Sequence, residues 1–116
     1  MNIIKKDQAL IDKTPWGQLT WFAGAPLGNS DKVTVGECCI DVGCQNPRHQ
    51  HPNCDEILRV LEGRVIHTLG DAEEEMNVGD TITVPQGLFH NARNIGDIQA
   101  VMSIVFTSSV RESVGE

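Results

Sequence analysis

The sequence predicts an all-β fold, a sandwich or a barrel, and three observations carry that prediction. Short runs rich in β-branched and aromatic residues recur along the chain, as in KVTVGECCIDV (32–42) and QAVMSIVFT (99–107). Gly, Pro, Asn and Asp punctuate them roughly every 8–12 residues, the spacing of short strands in a closed β architecture. No stretch carries the apolar period of an amphipathic helix. A chain of 116 residues suits one domain with a real core, so residues 1–116 read as a single unit.

Taken in order, residues 1–14 form an irregular arm or an edge strand, with Ile3, Ile4, Leu10 and Ile11 as apolar anchors. Pro15 and Gly17 punctuate a strand from Trp16 to Phe22. AGAPLGNSD (23–31) is a loop by its Gly, Pro and Asn content. The strand at 32–42 ends at Gly43. Residues 58–69 read as a hairpin with Glu62-Gly63 as its two-residue turn. That pairing sets Leu58 opposite His67 and turns His67 inward. Gly70-Asp71 makes a second tight turn, and Glu73, Glu74 and Glu75 form a solvated edge that discourages pairing with other chains. Strands at TITVP (81–85), around His90 and at 99–107 follow, and SSVRESVGE (108–116) is a frayed tail. The expected total is seven to nine short strands.

Chemistry concentrates in two segments. GCQNPRHQHPNCDEILRVLEG (43–63) has the spacing G-x5-H-x-H-x4-E-x6-G. On an extended chain His49 and His51 share a face, about 6–7 Å apart, and form a ready pair of metal ligands. Pro52 and Asn53 turn the chain so that Glu56 returns as an oxygen ligand. GDTITVPQGLFHNARN (79–94), with the spacing G-x5-P-x-G-x2-H-x3-N, supplies His90. Three imidazoles and one carboxylate suit a divalent transition metal, and the set does not select among Ni, Mn, Fe, Co, Cu and Zn. Asn94 shares the face of His90 and is read as satisfying backbone groups.

The net charge of −7 argues against sequence-independent nucleic-acid binding, which phosphate neutralisation drives. No apolar run is long enough for a membrane-spanning helix, and MNIIKKDQALIDK carries no secretion signal. Cys38, Cys39, Cys44 and Cys54 are therefore read as free thiols in a cytoplasmic protein. No C-x2-C pair suggests a zinc knuckle, and Cys54 is read as a small buried thiol.

At every specified position the two segments match the two motifs of the cupin superfamily, which the chain resembles over 43–63 and 79–94. The resemblance implies a jelly-roll (double-stranded β-helix) barrel, often a homodimer, with a metal at its inner face. His49, His51, Glu56 and His90 fall on the ligand positions. The end of the chain, Val105-Phe106-Thr107 followed by Arg111-Glu112, also resembles the small pectin-degradation cupins that linearise unsaturated uronates. Where those enzymes carry an important aspartate this chain has Ile104, its arginine lies one residue further along, and Glu56 replaces a glutamine ligand. The reaction does not carry across.

The leading expectation is a metal-dependent enzyme acting on a small oxygenated metabolite, such as a sugar, sugar acid or keto/hydroxy acid. Isomerisation or lyase-type proton transfer would be its chemistry, with His67 as the catalytic acid or base. Leu58, Val60, Met102, Ile104 and Phe106 would line the substrate pocket. Arg48 and Arg59 face away from the ligands by strand parity. The alternatives are an Fe(II)-dependent dioxygenase and a non-catalytic metabolite-binding module. Superfamily membership names no reaction, because fold and function are separable.

Overall fold

The computed structural model describes residues 3–116. Strands are β1 (Leu10–Thr14), β2 (Gly17–Ala23), β3 (Thr34–Ile40), β4 (His49–Gln50), β5 (Glu56–Glu62) and β6 (Val65–Leu69). They continue as β7 (Ala72–Met76), β8 (Thr81–Val84), β9 (His90–Asn94), β10 (Ala100–Phe106) and β11 (Val114–Gly115). Among the described residues there is no α-helix, and no helix is long and apolar enough to cross a membrane. The two strands beyond the expected number are β4 and β11. Each has two residues and is too short to leave a period in the sequence.

The strands form two antiparallel sheets facing each other. One has the order β1-β2-β3-β10-β5-β8 and the other β11-β4-β9-β6-β7. Alternation decides which side chains meet between them. Cys38 and Ile40, Leu58 and Val60, and Met102, Ile104 and Phe106 point in from the first sheet; Val65, Ala92 and Met76 point in from the second. Gly36 has a specific job here. A Cβ at this position would run into the Thr20 carbonyl and the Trp21 ring, so glycine lets the indole pack against β3.

The expected hairpin across Glu62-Gly63 does not form. β5 pairs with β10 and β8, whereas β6 pairs with β9 and β7, so this link carries the chain from one sheet to the other. Gly63 has φ +80° and a Cβ there would lie 3.0 Å from Ala100 Cα, so it serves a close crossing between sheets. His67 still faces inward, with 3% of its surface exposed. Its parity with Val65 decides this, not pairing with Leu58.

The tail is not frayed. β11 pairs with β4, Asn53 Nδ2 donates to the Val110 carbonyl at 2.8 Å, and Glu112 N donates to Asn53 Oδ1 at 3.0 Å. Asn94 satisfies backbone as expected: its Nδ2 donates to the carbonyls of Ile40 and Ile98, and its Oδ1 accepts from Gly96 N.

Candidate metal centre

Four elements bring the site together. His49 on β4 lies directly opposite His90 on β9, His51 follows β4, and Glu56 opens β5. Gly87, at the turn before β9, donates its N–H to the His51 carbonyl at 3.0 Å and ties that turn to the histidine pair. One ligand atom from each of His49, His51, Glu56 and His90 lies within 4.8 Å of the others. Glu56 Oε1 is 3.2 Å from His51 Nε2 and 3.1 Å from His90 Nε2. Phe106 packs edge-on to the His51 ring, with centroids 4.9 Å apart, and shields that side from water.

Hydrogen bonds set the tautomers. His49 Nδ1 lies 2.7 Å from the Pro47 carbonyl and His51 Nδ1 2.8 Å from the Glu112 carbonyl. A carbonyl only accepts, so both Nδ1 atoms carry the proton and both Nε2 atoms present lone pairs. His51 Nε2, His90 Nε2 and Glu56 Oε1 are buried and make no hydrogen bond. Lone pairs facing one another in a dry site are costly without a cation between them. Three Nε2 donors and one carboxylate oxygen resolve that cost by binding a divalent transition metal, which fits the donor set.

The outer groups are as informative. His90 Nδ1 is 2.9 Å from His67 Nε2. Burial and the neighbouring His90 lower the pKa of His67 from its ordinary 6.5 to about 4. Burial, with the same neighbour, does the same to His49, also to about 4. Burial raises the Glu56 pKa, but in metal-free protein a proton on the His51 or His90 Nε2 that faces it outweighs burial and holds the carboxyl below the usual range. In metal-free protein, then, an unfolded chain takes up protons at His49 and His67 below pH 6.5 and at Glu56 below pH 4.5, while the folded chain resists. The unfolded state binds more protons in this range, so stability is lost as the pH drops. Calorimetry of chelator-treated protein is expected to show a melting temperature that declines steadily from pH 7 to pH 4; a flat profile would contradict these environments.

A cavity of about 350 Å³ opens on the centre. Leu58, Met102, Ile104 and Phe106 line it. Val60 does not. It sits four residues beyond Glu56, about 13 Å along the strand, and is fully buried in the closed part of the core. Arg48 reaches the rim but is engaged, with Nε 2.8 Å from Glu116 Oε2 and an NH donating to Thr68 Oγ1 at 3.0 Å. Cys54 is buried and off the cavity wall. Cys38 is on the wall, but burial and the Glu56 charge raise its pKa, so it stays an inert thiol.

Arg111 is the wall residue whose placement the sequence did not reveal. Its guanidinium lies 4.4 Å from the Trp21 ring centroid and 5.3 Å from that of Phe106. Trp21 is held from behind by Nε1 donating to Asp12 Oδ2 at 2.9 Å. Burial lowers the Arg111 pKa, opposed by Glu56 and Asp12, and a guanidinium stays charged regardless. Among the described residues Arg111 makes no ion pair. Its position depends on β11 and the tail docking beside β4, which no local pattern in 108–116 announces.

Residues 36–106 match the family profile described as Cupin domain. Germin-like protein 3-8 of Oryza sativa subsp. japonica is 31% identical over 87 residues, 71% of this chain and 39% of that relative. A recombinant oxalate oxidase solved in complex with glycolate superposes with a TM-score of 0.78 at 26% identity, covering 88% of this chain and 56% of that one. Bacillus subtilis oxalate decarboxylase, studied for its Mn(II) centres, has a TM-score of 0.83 at 20% identity and shares the fold, over 90% of this chain and 29% of that one. The chain thus spans little more than half, or less, of the proteins it resembles. Two facing antiparallel sheets, a cluster of three histidines and a glutamate on their inner face and a profile match over most of the strands lead to one assignment: the chain belongs to the cupin family.

Proposed function

We propose that this cupin is a metal-dependent enzyme acting on a small carboxylic acid of the keto- or hydroxy-acid kind. One observation carries the reading: Arg111, a half-buried cation without an ion-pair partner among the described residues, shares a cavity with the three imidazoles and the glutamate. A carboxylate bound at Arg111 would leave a neighbouring oxygen free to meet the metal, and the guanidinium fork suits that group. The cavity volume is at the small end of the usual range for ligand sites, about 300–1,000 Å³, and its floor of Leu58, Met102 and Ile104 is apolar. When bound, the metal would supply Lewis-acid polarisation of a substrate oxygen.

In this reading His67 positions His90 rather than touching substrate, because its Nε2 is committed to His90. With His67 engaged and Cys38 held as a thiol, no free general base remains on the wall among the described residues. That favours lyase-type cleavage of the acid over isomerisation. Oxidation by dioxygen is the competing reading, and the likeness to an oxalate oxidase supports it. Four free thiols suit a cytoplasmic setting, and exposed Leu10 and Ile11 on edge strand β1 suit a homodimer.

The test is to load the protein with Mn(II) or Fe(II), supply oxalate, glycolate and pyruvate in turn, and follow each by NMR with an oxygen electrode. Loss of one acid without oxygen uptake is expected. Loss with oxygen uptake would establish the oxidase. An acid that binds and is recovered unchanged would make this a sensing module, and no binding of any of them would sink the carboxylate reading.

A further inference from the structure

The chain of tautomers that prepares the centre continues past His90. With His90 Nε2 offering its lone pair to the metal, His90 Nδ1 carries the proton and donates to His67 Nε2. His67 Nδ1 must then carry a proton of its own. This second donor is buried, in a residue only 3% exposed, and has no hydrogen-bond partner among the described residues. A buried donor without an acceptor is rare and needs an explanation.

The surroundings supply one. On this side the free edges of the two sheets, β7 and β8, leave a seam. A second cavity of about 340 Å³ opens there, lined by His67, Glu74, Glu75, Asp80, Met76 and Ile82. Glu74 pairs directly with His67 in the β6–β7 register, just as Met76 pairs with Val65. Directly opposed residues share a face, with Cβ atoms about 4.5–5.5 Å apart. Glu74 therefore stands on the His67 side of β7 and is itself exposed to solvent, whereas Glu73 alternates to the outer face and Glu75, outward by parity, also borders the cavity. Protecting the sheet edge does not require a carboxylate at the one position opposite a buried imidazole, since Glu73 and Glu75 already charge that edge.

We propose that Glu74 is a positioning residue for the metal centre, its carboxylate accepting the His67 Nδ1–H through a water held in the seam cavity. The relay then runs carboxylate, water, His67, His90, and holds both imidazoles in the tautomers that aim His90 Nε2 at the ion. A carboxylate at the end of such a relay also raises the basicity of the ligand imidazole. The seam is not a second metal site. A metal on His67 Nδ1 would reverse both tautomers, put a proton on His90 Nε2 and remove it from the centre.

Competition titration of Mn(II) against a chelator tests this on the full chain. Glu74→Ala is expected to weaken Mn(II) binding about tenfold, the lower end for groups outside the ligand sphere, and Glu73→Ala, with the same loss of charge, by less than about twofold. Glu74→Gln keeps an acceptor oxygen and should restore most of the affinity. The visible spectrum of Co(II)-loaded protein should change in Glu74→Ala and not in Glu73→Ala. In a His67→Ala background the effect of Glu74→Ala should vanish, the mark of two residues acting through one path. Equal losses for Glu73→Ala and Glu74→Ala, or additive losses for His67→Ala and Glu74→Ala, would overturn the relay. If the His67→Ala protein does not fold, the Glu73 and Glu74 comparison with the Co(II) spectrum decides alone.

Discussion

His90→Ala is expected to purify without its metal while keeping its β-sheet circular dichroism. The substitution removes one of three Nε2 donors, leaves Glu56 Oε1 with one fewer partner for its charge, and orphans His67 Nε2. Loss of groups that only orient ligands already costs about 10–100-fold in metal affinity, so loss of a ligand should exceed about a hundredfold. The fold has other anchors. β9 keeps Ala92 in the core and Asn94 bonded to two carbonyls. Most single changes cost about 0.5–3 kcal/mol, against a typical total of about 5–15 kcal/mol. His51→Ala should behave alike. Elemental analysis beside circular dichroism checks both, and stoichiometric metal in the two variants would refute the site.

Arg111→Gln is expected to keep its metal and lose its acid. A hydrogen bond to a charged group contributes about 1.5–3 kcal/mol, so oxalate should bind the Mn(II)-loaded variant roughly 10–150-fold more weakly than the parent protein. Arg111→Lys should recover only part of this, since an ammonium supplies charge without the planar fork that stacks on Trp21. The cation–π contact contributes about 0.5–1 kcal/mol at exposed sites and about 2 or more when desolvated, which leaves the fold intact. Calorimetric titration with metal content measured in parallel separates the two effects. Unchanged oxalate binding would remove Arg111 from the recognition of substrate.

What the sequence disclosed follows from how local each determinant is. His49, His51, Glu56 and His90 were legible because a two-residue alternation and two fixed spacings decide which way they face. His67 was turned inward through a hairpin pairing with Leu58 that does not form, and it faces in by its parity with Val65 instead. Its partner was not legible, because β propensity marks a strand without saying which sheet it joins. The same blindness turned Glu62-Gly63 into a hairpin when it is a crossing between sheets. Val60 was placed on the cavity wall by parity alone, which cannot tell the open part of a barrel from its closed part. The resemblance singled out Arg111 but not its place on the wall, and that place and the strand at Val114–Gly115 were hidden because SSVRESVGE is polar and aperiodic. Its order comes from contacts with Gln50, Asn53 and His51, about sixty residues away in the chain.

The Glu112 carbonyl that fixes the His51 tautomer belongs to this last stretch, and that couples the tail to the metal centre. Residues up to Thr107 hold every metal donor, yet the acceptor for His51 Nδ1 and one of the two strand partners of β4 lie beyond them. Residues 108–116 therefore act as a brace on the centre: removing them would loosen His51 without taking away a single ligand.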